Sequence, residues 1–201
     1  MTNRLPQFID YEKRRPKGTE NLNGLLQAIK NNQRVRFTYH KIWTDDTQIR
    51  YIEPLALKES INRWYVVACD MEDNKKIKTF ALDRISEIIN TSEKFIRPND
   101  FDVNELFKYS FGIISGAHFK PEKVKLIFYK PEAEYIRSLR LHHTQKETKE
   151  TDDEIHFEMT LYITEDFIKE IVSHGSNVKV LKPNSLIRAV KEHHKEALDL
   201  Y

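Results

Sequence analysis

The spacing of apolar residues changes once early in the chain, and this change constrains the fold more than any other feature. In TENLNGLLQAIKNNQ (19–33), apolar residues recur three, four and seven positions apart. That spacing is typical of an amphipathic helix, with Thr19 as its N-cap. From the next residue onward they recur at every second position, as in Val35, Phe37 and Tyr39. Because side chains alternate between the two faces of a strand, the pattern predicts a helix that leads into a sheet.

Short strands separated by polar turns fill the next part of the sequence. Five segments have strand character: RVRFTYHKI (34–42), QIRYIEPLAL (48–57), RWYVVACDM (63–71), KIKTFAL (76–82) and RISEIIN (84–90). Pro54 is expected to end or bend the second of them, because proline cannot donate a hydrogen bond within a sheet. Short strands with tight turns and little helix are typical of a small β-barrel. Trp64 and Val66 share one parity and are predicted to be barrel core, whereas Tyr65 has the other parity.

The remainder of the chain combines strands and helices in a different order. After a looser stretch, the elements read β-α-β-β-α-β plus a final helix, and they begin with KVKLIFY and end with SLIRAVKEHHKEALDLY. Thr164 is the predicted N-cap of the second helix, and Gly175 its left-handed stop. A polar strand or loop is expected over 142–150, with KETKETDDE as a solvated charged loop. This order is that of the split βαβ, ferredoxin-like arrangement.

The predicted fold class is therefore α+β: a small barrel with a leading helix, followed by a ferredoxin-like βαββαβ domain. We expect an N-terminal arm at 1–18, the barrel at 19–95, a linker at 96–121 and the second domain at 122–201. Proteolysis in the linker would test this division.

Composition and motifs exclude several classes of function. Cys69 is the only cysteine, which excludes a disulfide framework and a multi-cysteine zinc site. The sequence has no membrane-length apolar stretch and no signal-peptide pattern, so we expect a cytoplasmic protein without a membrane partner. Phosphate-loop, dinucleotide and nucleophile-elbow motifs are missing. The adjacent pairs His142–His143 and His193–His194 point in different directions on a regular element, so neither pair alone makes a metal site. We expect no enzyme, no metal and no cofactor.

The strongest candidate site lies on the predicted barrel. It combines groups that suit phosphates and bases, namely planar guanidinium forks, further cations and tyrosine rings. Its members are Tyr39, His40, Arg50, Tyr65, Lys78 and Arg84. The alternative is structural: barrels expose charges on their outer faces, aromatic residues fill cores, and Arg84 can be held by Asp83 or Glu87. A net charge of +2 decides nothing, because a polyanion needs only a local concentration of cations.

Four ordered segments resemble the WYL domain of bacterial transcriptional regulators. They are RVRFTYHKI, IRYIEPLAL, RWYVVACD and IKTFALDRI. The C-terminal half looks like the extension that usually follows this domain, in particular IVSHGSNVKVLKPNSLIRAV. The resemblance covers roughly residues 19–201. Trp64-Tyr65-Val66 departs from the name of the family, because valine replaces leucine.

The resemblance implies an Sm-like, SH3-type barrel and a ferredoxin-like domain in a homodimeric regulator. The barrel would be the sensor, and its ligand single-stranded DNA or another nucleotide-containing molecule. By position, the ligand-contacting set would be Tyr39, His40, Arg50, Tyr65 and Arg84, with Lys78 as a weaker member. The apolar stripe of the last helix also favours a homodimer through the C-terminal domain.

Such regulators normally carry an N-terminal helix-turn-helix that binds duplex DNA, and residues 1–18 are too few for one. We therefore expect duplex binding only through a domain missing from this chain, which is either a piece of a longer regulator or a protein without its own reader. Two rival functions stay open: a free-standing single-stranded nucleic-acid-binding or accessory protein, and an enzyme that acts on nucleotides.

Overall fold

A computed structural model describes residues 17–116 and 119–201. Contacts divide the chain into two compact units, with the division between Phe101 and Asp102. Each unit contains one antiparallel sheet, and a helix precedes the first sheet. The predicted α+β class with a leading helix is confirmed at this level. Most of the predicted N-terminal arm, including Phe8 and Tyr11, lies outside the described residues.

The leading helix α1 spans Leu22–Lys30 and follows a 3-10 turn at Thr19–Asn21. The prediction that Thr19 caps the helix is wrong, because Asn21 precedes α1 and no side chain caps it. Gly18 enters this turn with φ of 85°, and a Cβ there would lie 2.2 Å from the carbonyl oxygen of Leu82. Only glycine fits, because that approach leaves no room for any side chain.

The first sheet contains five strands, β1 to β5, in the spatial order β4-β3-β2-β1-β5. Their bounds are Gln33–Lys41, Asp46–Ser60, Arg63–Asp70, Lys76–Ala81 and Ile85–Lys94. All five were predicted, but β2 is longer than expected at both ends. Its register with β3 shifts between Pro54 and Ala56, so the proline bends the strand rather than ending it. Lys58–Ser60, which was expected to be a connection, continues the strand to the turn at Ile61 and Asn62.

One face of this sheet packs against α1 and forms the first core. The register places Val35 opposite Ile52 and Phe37 opposite Arg50, so these residues point to the same side of the sheet. The core is made of buried side chains from both elements: Leu25, Ala28, Val35, Phe37, Ile52, Val66, Ala68, Phe80, Leu82 and Ile85. Trp64 packs against it together with Val66, which confirms that this pair belongs to the core. We call this the inner face.

The segment after β5 also packs within the first unit. Phe95 forms a small buried cluster with Leu55 and Cys69, and Phe101 packs against it. Arg97 donates to the Leu55 carbonyl at 2.8 Å and lies over the Phe101 ring at 5.1 Å. This segment therefore covers part of the sheet on the side opposite the inner face.

The second unit begins with the short helix α2 (Val103–Leu106) and contains a four-stranded sheet in the order β7-β8-β6-β9. The strands are β6 (Glu122–Tyr129), β7 (Lys146–Glu150), β8 (Glu154–Leu161) and β9 (Val178–Lys182). The helices are α3 (Glu132–Ser138), α4 (Glu165–Ser173) and α5 (Asn184–Leu198). Of the two alternatives expected over 142–150, the strand is confirmed because β7 pairs with β8, and the charged loop expected from residue 146 is wrong for residues 146–150. All five of its residues are exposed, so it carries no apolar alternation.

The helices of the second unit cover one side of its sheet. Thr164 caps α4 by accepting a hydrogen bond from the Phe167 amide at 3.4 Å, which confirms the predicted cap. Gly175 follows the helix with φ of 55°, the left-handed conformation predicted for it. The core contains the buried faces of β6, β8 and all three longer helices: Val124, Leu126, Phe128, Ala133, Ile136, Ile155, Phe157, Met159, Leu161, Phe167, Ile171 and Leu186.

Candidate ligand site on the first sheet

Two of the six candidate residues meet at one buried carboxylate on the inner face. Asp70 lies opposite Ile52, Lys78 lies opposite Ala68, and Arg50 shares the face of both. The Asp70 side chain is completely buried, and its Oδ2 accepts from Arg50 at 3.2 Å and from Lys78 at 2.8 Å. Its Oδ1 accepts from the Glu72 amide at 3.1 Å. A buried carboxylate requires such partners, because an unpaired charge away from water is costly.

Further polar groups extend this arrangement, which we call the Asp70 network. Arg50 also donates to the Gln48 side chain, which in turn donates to Asp46. Lys78 reaches Asp73 at 2.8 Å as well. Burial opposes the charge on Lys78, but hydrogen bonds to Asp70 and Asp73 outweigh it and raise the pKa of the ammonium. Lys78 is therefore held in the charged form by Asp70 and Asp73.

One hydrogen-bond donor of the Asp70 network has no acceptor among the described residues. The Arg50 side chain is 12% exposed, and its Nε is buried without a hydrogen-bond partner among the described residues. The contrast is a second buried carboxylate, Glu53, which accepts from Arg34 Nε at 3.2 Å and from Lys75 at 3.2 Å. There the remaining Arg34 nitrogens are bonded to Glu53 and Glu93. Arg50 is therefore held at one edge of its guanidinium, and its Nε can still donate.

Arg84 lies in a 3-10 turn, Leu82–Arg84, between β4 and β5. Its carboxylate neighbours are engaged elsewhere: Asp83 accepts from Arg63 at 2.9 Å, and Glu87 accepts from Thr38 at 2.8 Å. Within the described ranges, no carboxylate pairs with Arg84, and its Nε is buried without a hydrogen bond. The alternative that Asp83 or Glu87 holds this arginine therefore has no support in the geometry.

Tyr39 belongs to the inner face and is anchored in the core. Its ring packs edge-on against Phe80 at 5.2 Å and against Phe37 at 6.1 Å. Its hydroxyl accepts from the Ala81 amide at 3.4 Å. These contacts fix the phenol at the start of the turn that carries Arg84.

The remaining two candidates point to the opposite face. Tyr65 lies opposite Lys58 and Ala81 in the register, and its ring is 9% exposed. His40 has the opposite parity to Tyr39, and its Nε2 lies 2.9 Å from Asp45 at the neighbouring turn. The sheet therefore brings Arg50, Lys78 and Tyr39 onto one face and separates Tyr65 and His40 from them.

Sequence reasoning missed the carboxylate that organises this face. Asp70 ends the apolar run RWYVVACD, at the same parity as Val66 and Ala68. An acidic residue in phase with core positions was the available signal, because it must meet cations when it is buried. An anion that approaches Arg50 or Lys78 has to compete with Asp70, whereas one that approaches Arg84 meets no such competitor within residues 17–116 and 119–201.

The described part of the chain contains no group of three or more metal-ligating side chains, and no helix in it is both long and apolar enough to cross a membrane. The candidate site is therefore a set of hydrogen-bond donors and cations, which is suited to binding an anion.

Comparison with known families decides the identity of both units. Residues 20–89 match the WYL domain, and residues 120–198 match the WCX domain. The chain carries a WYL domain followed by a WCX domain. The first match includes Arg50, Lys78 and Arg84, so the candidate site lies within the WYL domain. The second match includes the segment IVSHGSNVKVLKPNSLIRAV, on which the C-terminal resemblance rested.

Two solved structures resemble the chain. One is the proteasome accessory factor B/C (PafBC) of Arthrobacter aurescens, with 21% identity and a TM-score of 0.43, over 88% of this chain and 26% of that one. The other is described as a CRISPR Cas-related protein, with 13% identity and a TM-score of 0.53, over 90% of this chain and 51% of that one. The chain thus spans about a quarter and about half of these structures. No curated protein sequence matches it significantly.

Proposed function

We propose that this chain is the ligand-sensing region of a bacterial transcriptional regulator, and that it binds single-stranded DNA or another nucleotide-containing ligand. The WYL and WCX domains support a regulator's sensing region. The observation that carries the ligand class is a pair of buried Nε groups, on Arg50 and Arg84, that have no hydrogen-bond partner in the part of the chain that the structure describes. Leaving a buried donor unsatisfied costs about 1–3 kcal/mol, and phosphate oxygens are suitable acceptors for guanidinium groups.

Each candidate side chain has a distinct part in this proposal. Arg84 would supply a guanidinium that no carboxylate among the described residues neutralises. Arg50 would contribute its Nε while Asp70 keeps the guanidinium oriented, and Lys78 would add positive potential. Tyr39 would position the Arg84 turn, whereas Tyr65 and His40, on the opposite face, would contact only a ligand that passes around the edge of the sheet.

We further propose that the two units are an Sm-like barrel and a ferredoxin-like domain. The orders β4-β3-β2-β1-β5 and β7-β8-β6-β9 support this, because the second is the spatial order that a split βαβ arrangement requires. In this proposal the domains extend over 19–95 and 122–201, with a linker at 96–121.

Signalling requires partners beyond the ligand. We propose a cytoplasmic homodimer that contacts duplex DNA only through a helix-turn-helix domain and has no catalytic activity. Support for the dimer comes from the end of α5 and the residues after it, where Leu198 and Leu200 are 73% and 84% exposed. Light scattering tests this, and a monomer at high micromolar concentration contradicts it.

A second candidate is a free-standing protein that binds single strands through the outer face of the first sheet. There Arg36 lies opposite Tyr51 on one side and Ile89 on the other, so the three form one row across β2, β1 and β5. Tyr51 is 40% exposed and Ile89 51% exposed. A cation beside an exposed aromatic ring is a common arrangement for stacking bases without sequence preference.

Native mass spectrometry of the purified chain is the first experiment. A nucleotide-containing adduct that is lost in high salt supports the proposal, because phosphate contacts weaken as salt competes. Binding to a labelled single strand and to a duplex is then compared for Arg84→Ala and Arg36→Ala. Weaker single-strand binding in the Arg84→Ala variant favours the site proposed for Arg50 and Arg84, whereas weaker binding only in the Arg36→Ala variant favours the free-standing protein. A sequence-specific footprint on duplex DNA contradicts the sensor, and nucleotide turnover identifies an enzyme.

A further inference from the structure

The second unit contains a groove that the WYL ligand site does not involve. It lies between β9 and α5 and has a volume of about 740 Å³. Its apolar lining comes from Val178 and Val180 on the strand and from Ile187 and Val190 on the helix. Volumes of about 300–1,000 Å³ are typical of sites for small ligands, so the groove is large enough to hold one.

Basic side chains surround this apolar lining, and none of the lining residues is acidic. Lys179 comes from β9, and Lys191 and His194 come from α5. Among the residues that the structure describes, neither lysine pairs with a carboxylate. The preceding histidine on α5 differs, because His193 Nε2 lies 3.4 Å from a carboxylate oxygen of Glu165. Because an imidazole carries an N–H in either protonation state, His194 can donate to an anion at any pH.

The groove has one polar end and one apolar end. Pro183 alone separates β9 from α5, and the helix packs back along the strand, so the start of the helix lies near the end of the strand. Val180 and Ile187 therefore line one end, and Ser176 and His194 line the other. From Ile187 to His194 the helix rises about 10 Å, at 1.5 Å per residue. This length suits a short chain with one anionic head.

We propose that this groove binds a small amphipathic anion, with its carboxylate near Lys191 and His194 and its apolar body over the valine and isoleucine side chains. Octanoate is a suitable probe, because it has one carboxylate and an apolar chain comparable in length with the groove. The site is independent of the proposed nucleotide ligand, and its occupation would give the WCX domain a binding function of its own.

The test is a titration of the full, isotope-labelled chain with octanoate, followed by NMR amide shifts. Saturable shifts confined to β9, α5 and the turn at Gly175–Asn177 are expected. Octan-1-ol, which keeps the chain and lacks the charge, should bind about tenfold more weakly, the effect of losing one charge-assisted hydrogen bond. Added salt should weaken octanoate but not octanol, because salt screens only the charged contact.

Variants locate the anionic head. Lys191→Gln combined with His194→Gln should weaken octanoate about tenfold or more and leave octanol unchanged. Lys195→Gln, on the same helix but outside the groove lining, is the matched control and should bind like the parent. Shifts spread over both units, equal octanoate affinity in the double variant, or an absence of saturation would overturn the proposal. If octanoate does not bind and the double variant instead changes the molecular mass in solution, the groove is a contact between copies of this chain.

Discussion

The first unit buries its principal charged network, whereas the second displays one on its surface. In the Asp70 network, a fully buried carboxylate is shared by Arg50 and Lys78. On the second unit, Arg137 is bonded to Glu134, Glu147 and Glu150, all of them about half exposed. Hydrogen bonds to Glu147 first, and then to Glu150, raise the pKa of Arg137.

The difference lies in which donors are left over. All three guanidinium nitrogens of Arg137 have carboxylate partners, so that network is complete. Arg50 Nε has none among the described residues, although it is buried. A surface network whose donors are all bonded has none left for a ligand. A buried network with an unbonded donor has one, because a ligand can supply the acceptor that water would otherwise provide. The number of charged residues is therefore a poor guide to a binding site, and the unsatisfied buried donor is a better one.

The largest expected effect comes from removing the shared carboxylate. Asp70→Asn leaves the buried Arg50 and the partly exposed Lys78 beside a neutral amide, and breaking a buried pair such as Arg50–Asp70 costs about 3–5 kcal/mol. Both tryptophans, Trp43 and Trp64, lie in the first unit, so urea unfolding followed by tryptophan fluorescence reports on this unit alone. An Asp70→Asn protein that unfolds at the same urea concentration as the parent would mean that the network is not buried in solution.

A smaller loss of stability is expected in the second unit at acid pH. His142 is buried, and burial first, then the charge of His143, lowers its pKa to about 4. Because the folded-state pKa lies below the unfolded value, the stabilisation that neutral His142 gives the folded state is complete above about pH 6.5. It is lost as the pH falls towards 4. Between about pH 7 and pH 5 the loss is on the order of 2 kcal/mol. Hydrogen exchange of β7 and β8 should show this loss in the parent and not in His142→Gln.

His174 has the opposite pH dependence in the same unit. A hydrogen bond to Glu170 raises its pKa, burial opposes the shift, and a bond to Glu132 at 2.7 Å adds to it. Since the folded-state pKa is raised, the stabilisation is complete below the unfolded value of about 6.5 and is lost as the pH rises through the folded value. The protection of α4 amides from hydrogen exchange, relative to their intrinsic exchange rates, should therefore fall as the pH rises above about 6.5. His174→Gln should abolish this change, and an unchanged pH profile in that variant would assign it to another group.

The smallest effect is expected at the surface network. Arg137→Ala removes contacts that are open to water, where screening and side-chain entropy offset most of the attraction. Its urea unfolding midpoint, followed by far-UV circular dichroism because the second unit has no tryptophan, should stay within experimental scatter of the parent. A shift comparable with that of Asp70→Asn would remove the distinction between the two networks.

Most of the helices and strands were predictable from the sequence, because burial of one face produces a regular spacing of apolar residues. Strands such as β1 and β8 have one buried and one exposed face, so their apolar residues alternate. The sequence left strand and loop both open for KETKE, because β7 is exposed on both faces and its composition resembles a loop. Thr19 was misjudged because a cap depends on backbone geometry, and the chain enters through a 3-10 turn instead.

The candidate site was only partly predictable for a different reason. Residue types identified Arg50, Lys78 and Arg84. Alternation along each strand alone could not predict which side chains of different strands lie on the same face of the sheet. That depends on the register between strands and on the bulge after Pro54. The pairing of Arg50 with Asp70, which are twenty positions apart, comes from the sheet and not from local sequence. Which arginine has a free donor is likewise a property of the folded chain.

The most direct test of the proposed site is a binding titration of a labelled single-stranded oligonucleotide with Arg50→Ala, Arg84→Ala and the double variant. Each substitution should weaken binding about ten- to a hundredfold, and each should lower the slope of log affinity against log salt by about 0.7. Arg84→Ala should keep the parent's melting temperature, because no described carboxylate pairs with this arginine. Arg137→Ala is the control and should bind like the parent. A folded double variant that binds with the parent's affinity and salt slope would contradict the assignment of both arginines.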